Sequence, residues 1–366
     1  MLVDIIAGAR PNFIKIAPII EAINAAGKAG VNIQFRLVHT GQHYDKKMSG
    51  DFFEQLGIPE PHHNLEAGSG TQAEQTGKIM IGYERLLLEK PCDLCVVVGD
   101  VTSTMACSIA AKKVNNIKVA HVEGGIRSGD WTMPEEINRI VTDAITDYFF
   151  TTSEVANNNL RKSGVKEEQI YFVGNTMIDT LYKQMPRFSQ PALWSEYGLT
   201  SGGYIIMTLH RPANVDDKDK LKELITEIVT NSRGLPVIFP VHPRTAKILQ
   251  TIGVNADNLH VIDPLGYLEF NYLVKNAKAV ITDSGGITEE ATVMAVPCMT
   301  LRDSTERPET CTVGTNELLG TDPKSIQPAF ERLFAGQWKE GAIPALWDGK
   351  TADRIVSSIT RIFGLN

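Results

Sequence analysis

Ala279-Val-Ile-Thr-Asp-Ser-Gly-Gly-Ile-Thr-Glu-Glu290 decides how this chain is read. An apolar run of β type ends at Asp283. Ser284, Gly285 and Gly286 then turn the chain, and a helix-like segment with two early glutamates follows. Such a turn leaves backbone N–H groups free at a helix N-terminus, where the helix dipole favours anions. Glycine allows a phosphate to approach the backbone closely. The unit is a candidate diphosphate seat, although a plain tight turn between strand and helix gives the same pattern.

Similar runs recur along the chain. Strands are expected near 2–7, 34–39, 94–98, 118–122, 148–151 and 170–173, and again near 204–208, 236–241, 259–262, 279–282 and 297–300. They are short and nearly continuous in apolar character, as in parallel strands buried on both faces. Helical patterns separate most of them. Pro134 opens one, with Ile137, Ile140, Val141, Ala144 and Ile145 recurring at helical spacing as its core-facing stripe. Another spans 218–231, with Leu221, Leu224, Ile225 and Ile228 on one face. The alternation predicts an α/β protein of two doubly wound, Rossmann-like domains. The first covers 1–185 and the second 186–351. The segment 183–203, rich in Pro, Ser and Gly, reads as the linker. The amphipathic C-terminal stretch, 352–366, is a candidate for packing back on the first domain.

With 366 residues the chain exceeds what one hydrophobic core serves. A hydrophobic share of 43% and a charged share of 22% suit a globular protein. The net charge of −7 argues against nucleic acid or an anionic membrane as the main partner. A local cationic site for an anionic substrate remains compatible with it. No apolar run is long enough to span a membrane, and no signal-peptide pattern opens the chain, so a cytoplasmic location is expected. Five cysteines, Cys92, Cys95, Cys107, Cys298 and Cys311, form an odd and sparse set that suits a reducing compartment. Cys92 and Cys95 make a CxxC without a second ligand pair, and read best as buried small hydrophobes.

The expected strands end on reactive or flexible groups: Arg10, Gln42 and His43, Asp100, Glu123, Ser153, Gly174-Asn175, His210-Arg211, His242, Asp263, Ser284-Gly285-Gly286 and Arg302. Ligands of open α/β sheets bind beyond the carboxyl ends of the strands. Taken singly, each group is a cap or turn former. Together they place a ligand between two sheets that face one cleft. Arg211, His242 and Arg307 are candidates for phosphate oxygens beside Ser284-Gly285-Gly286. Glu290, one turn into the helix, is a candidate for ribose hydroxyls or simply a first-turn glutamate favoured by the dipole. Tyr267 and Phe270 offer a base-stacking face or a core role. In the first half, Asp100, Glu123 and Glu135 would perturb one another's protonation if gathered at one site, as proton-transfer groups do. Capping and dipole roles are the bland alternatives for Asp100 and Glu135. Arg10 and Lys15 would hold that cluster or contact substrate. No close histidine pair implies a metal, and no GxGxxG follows the first strand, so neither metal nor nicotinamide cofactor is expected.

The ordered set of motifs resembles the non-hydrolysing UDP-N-acetylglucosamine 2-epimerase family. Its carriers are Gly8-Ala-Arg-Pro-Asn-Phe-Ile-Lys-Ile-Ala-Pro18, Gly41-Gln-His43, Val98-Gly-Asp-Val-Thr-Ser103, His121-Val-Glu-Gly-Gly-Ile-Arg127 and Pro134-Glu-Glu-Ile-Asn-Arg139. They continue with Val173-Gly-Asn-Thr176, His210-Arg211, Asp283-Ser-Gly-Gly-Ile-Thr-Glu-Glu290 and Arg302-Asp-Ser-Thr-Glu-Arg-Pro-Glu309. The resemblance implies a glycosyltransferase-B-like fold, a UDP-sugar substrate, a homodimer and no cofactor. It also implies inversion at sugar carbon 2 by elimination of UDP to a glycal and re-addition. By motif match, Asp100, Glu123 and Glu135 carry acidic catalytic roles and His210 is the site histidine. Arg10 and Lys15 match basic residues near sugar and phosphates. Ser284, Gly285, Gly286, Glu290 and Arg307 match UDP-binding positions. Two departures stand out. Pro212-Ala213-Asn214 replaces the Arg-Glu-Asn of many members, and Gly68-Ser-Gly-Thr-Gln72 lacks a basic residue that some effector-regulated members carry. Activation by substrate at a second site is therefore open. So are action on a modified UDP-sugar such as a diacetamido uronic acid, a hydrolysing epimerase, a glycosyltransferase and an inactive UDP-sugar sensor.

Overall fold

The computed structural model describes residues 1–41, 56–114, 117–241, 243–254 and 256–365, with the side chains of Arg10, 243–245, 247 and 250 outside that description. Gln42, His43 and His242 lie outside the described residues. The chain forms two compact units, Met1–Lys183 with Ala345–Asn366, and Gln184–Pro344. Each is built on one parallel sheet, so the α/β architecture with two Rossmann-like domains is present.

In the first unit the chain runs β1 (Leu2–Ala7), α1 (Arg10–Lys28), β2 (Gln34–His39), β3 (His63–Asn64), α2 (Gln72–Glu89), β4 (Leu94–Val98) and α3 (Thr102–Lys113). It continues through β5 (Lys118–Val122), α4 (Pro134–Ile145), β6 (Tyr148–Thr151), α5 (Glu154–Lys162), β7 (Ile170–Phe172) and α6 (Thr176–Gln184). The seven strands lie in the order β3-β2-β1-β4-β5-β6-β7. The winding reverses between β1 and β4, which leaves a crevice at their carboxyl ends. All five residues of β4 are buried, which explains why Leu-Cys-Val-Val-Val shows no polar alternation. Cys92 and Cys95 are buried free thiols, and burial pushes Cys92 up to about 12.

The second unit contains α7 (Leu193–Glu196), β8 (Ile205–Thr208), α8 (Pro212–Val215), α9 (Lys218–Asn231), β9 (Val237–Pro240), α10 (Pro243–Ile252), β10 (Leu259–Ile262) and α11 (Tyr267–Asn276). After these come β11 (Ala279–Thr282), α12 (Gly285–Val293), β12 (Cys298–Thr300), α13 (Pro308–Thr312), β13 (Asn316–Leu318) and α14 (Ile326–Phe334). The strand order is β10-β9-β8-β11-β12-β13, with the reversal between β8 and β11. Leu221, Leu224, Ile225 and Ile228 of α9 are fully buried, as their spacing predicts.

Two sequence readings need correction. The segment 183–203 is no bare connector. Met185–Arg187 forms a 3-10 turn, Leu193 and Leu199 are buried in a core cluster of the second unit, and Trp194 packs edge-on to Tyr204 and Tyr272. Helix α4 is inverted relative to expectation. Its buried residues are Glu136, Asn138, Arg139, Thr142 and Asp143, while Ile137 is 45% exposed.

The C-terminal helix α15 (Thr351–Phe363) packs on α1. Asp179 accepts from the Thr351 and Ala352 N–H groups at 3.1 and 2.7 Å, so a carboxylate stands at the positive end of α15. Trp347 is fully buried and donates from Nε1 to the Thr152 carbonyl at 3.1 Å. Gly174 explains one strand end that the sequence offered as a site. Its φ is +103°, and a Cβ there would stand 2.2 Å from the Leu346 carbonyl oxygen. Its neighbour Asn175 caps α6 by accepting from the Met177 N–H at 2.9 Å. Ser153 likewise caps α5 through the Ala156 N–H at 3.3 Å. Replacing Trp347 by Ala removes the largest buried side chain of this seam. Denaturant unfolding is expected to show a loss of about 3–5 kcal/mol. A change below about 1 kcal/mol would mean that the seam does not hold the C-terminal segment.

Candidate active site

The crevice of the first sheet is furnished by α1, β4, β5 and α4. Asn12 Oδ1 accepts from the Gly8 and Ala9 N–H groups at 3.1 and 3.0 Å, and its Nδ2 donates to the Val98 carbonyl at 3.0 Å. This side chain, which the sequence reading passed over, ties the start of α1 to the end of β4. Lys15, one turn on, reaches Glu123 Oε2 at 2.8 Å. Glu123 is buried and has a φ of +73°, a conformation that L residues adopt at a cost of order 1–3 kcal/mol and that concentrates at functional sites. Asp100 and Glu123 therefore stand beyond the tips of neighbouring strands β4 and β5. Glu135 is exposed in the first turn of α4, where the dipole favours its charge.

The buried face of α4 meets these loops with polar groups. Arg139 forms ion pairs with Asp100 through Nη2 and with Glu136 through Nη1, the latter at 2.7 Å. Asn138 donates to the Asp100 carbonyl at 2.8 Å. Glu136 also accepts from the Ser128 N–H and hydroxyl and from the Gly129 N–H, at 2.9, 3.0 and 3.0 Å. Burial alone would raise its carboxyl. The two backbone donors and Arg139 prevail and hold it below the ordinary glutamate value. Asp143 accepts from His121 Nδ1 at 2.7 Å, Arg127 Nη1 at 2.6 Å and the Gly125 N–H at 3.0 Å. Burial opposes its charge, but His121 and Arg127 keep it below the usual aspartate range. His121 Nε2 lies 2.8 Å from the Gly99 carbonyl, which can only accept, so this nitrogen carries hydrogen. One imidazole thus braces the residue before Asp100.

The second sheet's crevice gathers around Asp283, which is fully buried. It accepts from the His210 and Arg211 N–H groups, from Asn214 Nδ2 and from His210 Nδ1 at 2.7 Å. Burial raises its carboxyl, and these donors, His210 first, bring it below the ordinary value. The His210 side chain is 62% exposed, so Asp283 orients its ring while leaving it accessible. Sequence reading took Asp283 for a strand end, whereas its hydrogen bonds set His210 in place. Arg211 Nε donates to the Asp283 carbonyl at 3.0 Å, and its Nη2 lies 3.3 Å from Glu306. Glu306 also pairs with Arg302 at 2.6 Å.

Helix α12 begins at Gly285 after Ser284, with no side-chain hydrogen bond capping its N-terminus. A Cβ at Gly285 would meet nothing nearer than Glu306 Oε2 at 4.0 Å, and its φ is not positive. Neither packing nor backbone conformation calls for glycine there, which leaves the start of α12 open. Arg307, a candidate for phosphate oxygens, is held by a carboxylate. It is buried, with Nε 2.7 Å from Glu289 Oε1, because the helix that starts at Gly285 presents Glu289 to it. Of the two roles read for Tyr267 and Phe270, the packing is that of a core. Tyr267 is buried and donates its hydroxyl to Glu290 at 2.8 Å, and Phe270 packs on the core cluster of α11 and α12. Among the described residues no group of three or more His, Cys, Asp or Glu is placed to hold a metal. No helix among them is long and apolar enough to cross a membrane.

Glu290 has a raised carboxyl. Burial pushes it up to about 7, Tyr267 and Asn271 lower it, and neighbouring Glu289 raises it. A raised carboxyl stabilises the fold fully below its unfolded-state value, and that contribution is lost as pH rises through about 7. Glu290→Gln should therefore raise the melting temperature more at pH 8 than at pH 5.5. An equal effect at both values would show that Glu290 does not titrate in this range.

With this geometry in hand, likeness to known proteins is informative. The family profile of the UDP-N-acetylglucosamine 2-epimerases matches residues 25–360. A UDP-N-acetylglucosamine 2-epimerase of Methanocaldococcus jannaschii is 41% identical over 98% of this chain and 99% of its own. The crystal structure of that archaeal enzyme in complex with UDP-GlcNAc and UDP superposes with a TM-score of 0.86, covering 99% of this chain and 100% of the other. A UDP-2,3-diacetamido-2,3-dideoxy-D-glucuronate 2-epimerase of Pseudomonas aeruginosa is 40% identical over 86% of this chain and 87% of its own. Two crevices at sheet reversals, one lined by carboxylates and one by a bare helix N-terminus, thus occur on a chain that belongs to the UDP-N-acetylglucosamine 2-epimerase family.

Proposed function

We propose that the protein is a non-hydrolysing 2-epimerase that interconverts UDP-N-acetylglucosamine and UDP-N-acetylmannosamine. The observation that carries this reading is the pair of carboxylates, Asp100 and Glu123, beyond the tips of adjacent strands at the first sheet's reversal, each held by a cation. A binding module for UDP-sugars has no use for buried charges arranged at that cost.

The chemistry runs as follows. A carboxylate takes the proton from carbon 2, the electron pair forms the carbon 1–carbon 2 double bond, and the bond from carbon 1 to the UDP oxygen breaks. UDP leaves with the electron pair of the broken carbon 1–oxygen bond, and a 2-acetamidoglycal remains. UDP then adds back at carbon 1 while a proton is delivered to the opposite face of carbon 2. Asp100, Glu123 and Glu135 share the proton transfers, and His210, oriented by Asp283, serves at the diphosphate or sugar. The departing diphosphate is stabilised by the N–H groups of Gly285 and Gly286, by the Ser284 hydroxyl and by Arg211. Arg10, Lys15, Gln42, His43 and His242 complete the cationic and polar surroundings. Glu290, with Tyr267 behind it, faces the ribose, and Phe270 borders the base. Arg307 acts through Glu289, fixing the start of α12. No cofactor is required, because the glycal forms and decays without net oxidation.

A modified substrate is the second reading, favoured by the nearly equal identity to the diacetamido-uronate epimerase and by Pro212-Ala213 after Arg211. We further propose a homodimer, built on the layer of α2, α3 and α4. Ile81 and Leu88 of α2 are 52% and 67% exposed, and Ile137 of α4 adds to them. A cytoplasmic location fits five free cysteines.

Incubation with UDP-N-acetylglucosamine in deuterated water should place deuterium at carbon 2 of both recovered UDP-sugars. Asp100→Asn should lower that turnover by about 10²- to 10⁴-fold while UDP still binds. Free sugar with UDP would replace this reading by hydrolysis, and an unlabelled substrate would replace it by a sensor or by the modified sugar, which the same assay tests. Ile137→Asp together with Leu88→Asp should halve the mass seen by light scattering; an unchanged mass would place the dimer contact elsewhere.

A further inference from the structure

The buried charges of α4 are not accounted for by the reaction as written. Arg139 is only 6% exposed, yet its guanidinium spans two carboxylates, Asp100 on the β4 tip and Glu136 on its own helix. Glu136 is still more buried and has further donors from Ser128 and Gly129, so its orientation is fixed from two directions. Asn138, the residue before Arg139, donates to the Asp100 carbonyl at 2.8 Å. Both the backbone and the carboxylate of Asp100 are therefore anchored by consecutive residues of one helix, and the guanidinium plane is itself oriented by a carboxylate. A fork that binds two oxygens in fixed geometry is what Arg offers and Lys does not.

We propose that Arg139 is a positioning residue for the reaction, fixing the Asp100 carboxylate toward carbon 2, with Glu136 fixing Arg139 in turn. This rests on the reading that Asp100 takes part at carbon 2. The arrangement carries a consequence for the loop that ends in α4. Ser128 and Gly129 hang on the same Glu136 that holds Arg139, so displacement of that loop is transmitted to the reacting carboxylate through two ion pairs.

The test compares Arg139→Lys, Arg139→Ala and Glu136→Gln in the full-length protein, with wild type and Asp100→Asn alongside. Wash-in of deuterium at carbon 2, KM, UDP affinity and melting temperature are measured for each. Arg139→Ala is expected to lose on the order of 10²-fold in kcat with KM and UDP affinity near wild type, as misplacement of a reacting group does. Added guanidinium ion should restore part of that loss in a saturable way. Arg139→Lys should fold, keep UDP affinity and retain an intermediate kcat, so it carries the test if the alanine variant does not fold. Glu136→Gln should lower kcat in the same sense. Wild-type kcat in Arg139→Lys and Arg139→Ala would overturn the proposal, as would a loss that follows UDP affinity and melting temperature without rescue by guanidinium. If wild type itself exchanges no deuterium, the assignment of the reaction fails instead. If wild type exchanges and Asp100→Asn does not, while the Arg139 variants are normal, only the positioning role is lost.

Discussion

A carboxylate that must work at a strand tip has to be held in one orientation, and the first unit meets that constraint by turning the polar face of a helix inward. The α4 stripe that packs inward is Glu136, Asn138, Arg139, Thr142 and Asp143, and the apolar stripe is left outward. An unpaired buried charge is costly, and removing one partner of a buried pair costs several kcal/mol. The charged side chains of this stripe are all paired. Arg139 serves Asp100 and Glu136, Asp143 serves His121, Arg127 and the Gly125 N–H, and Lys15 of α1 serves Glu123. The result is a set of carboxylates whose positions are determined by other side chains rather than by loop conformation. The outward apolar stripe is the corollary, and it gives a physical reason for a second copy of the chain to cover it.

The second unit solves a different problem. A leaving diphosphate needs positive potential that is not already neutralised. Its arginines are engaged, with Arg302 and Arg211 on Glu306 and Arg307 on Glu289. The N–H groups at the start of α12 have no capping side chain, and Gly285 keeps the space above them open. The helix terminus is thus left open to an anion, and the ion pairs hold its surroundings. Buried Asp283 performs for His210 what Asp143 performs for His121, fixing a ring nitrogen by a carboxylate at the same distance of 2.7 Å.

Much of this was legible in the residues. Parallel strands buried on both faces announce themselves as unbroken apolar runs, and the long ones sit where their sequence puts them. β3 and β13, two and three residues long, carry too little pattern to register. Periodicity went wrong at α4 for a definite reason. It tells which residues share a stripe, not which stripe faces the core, and positions 136, 139 and 143 repeat at helical spacing as well as 137, 140 and 144 do. Position along the strands similarly revealed Asp100 and Glu123, and Lys15 reads as holding their cluster, as it does at Glu123. Arg139 does not show itself, because it is distant from Asp100 in sequence and meets it only through the winding of β5 and α4. Arg307 read as a phosphate ligand because nothing in the chain shows that Glu289 turns toward it while Glu290 turns toward Tyr267. Composition read 183–203 as a linker, although two leucines bury themselves in a core.

Crystallography of the protein with UDP-N-acetylglucosamine bound would probe the whole account at once. It should show the diphosphate on the Gly285 and Gly286 N–H groups at the start of α12 and carbon 2 of the sugar within about 3 Å of an Asp100, Glu123 or Glu135 oxygen. A bound molecule whose sugar ring lies remote from all three carboxylates, or whose diphosphate avoids α12, would contradict it.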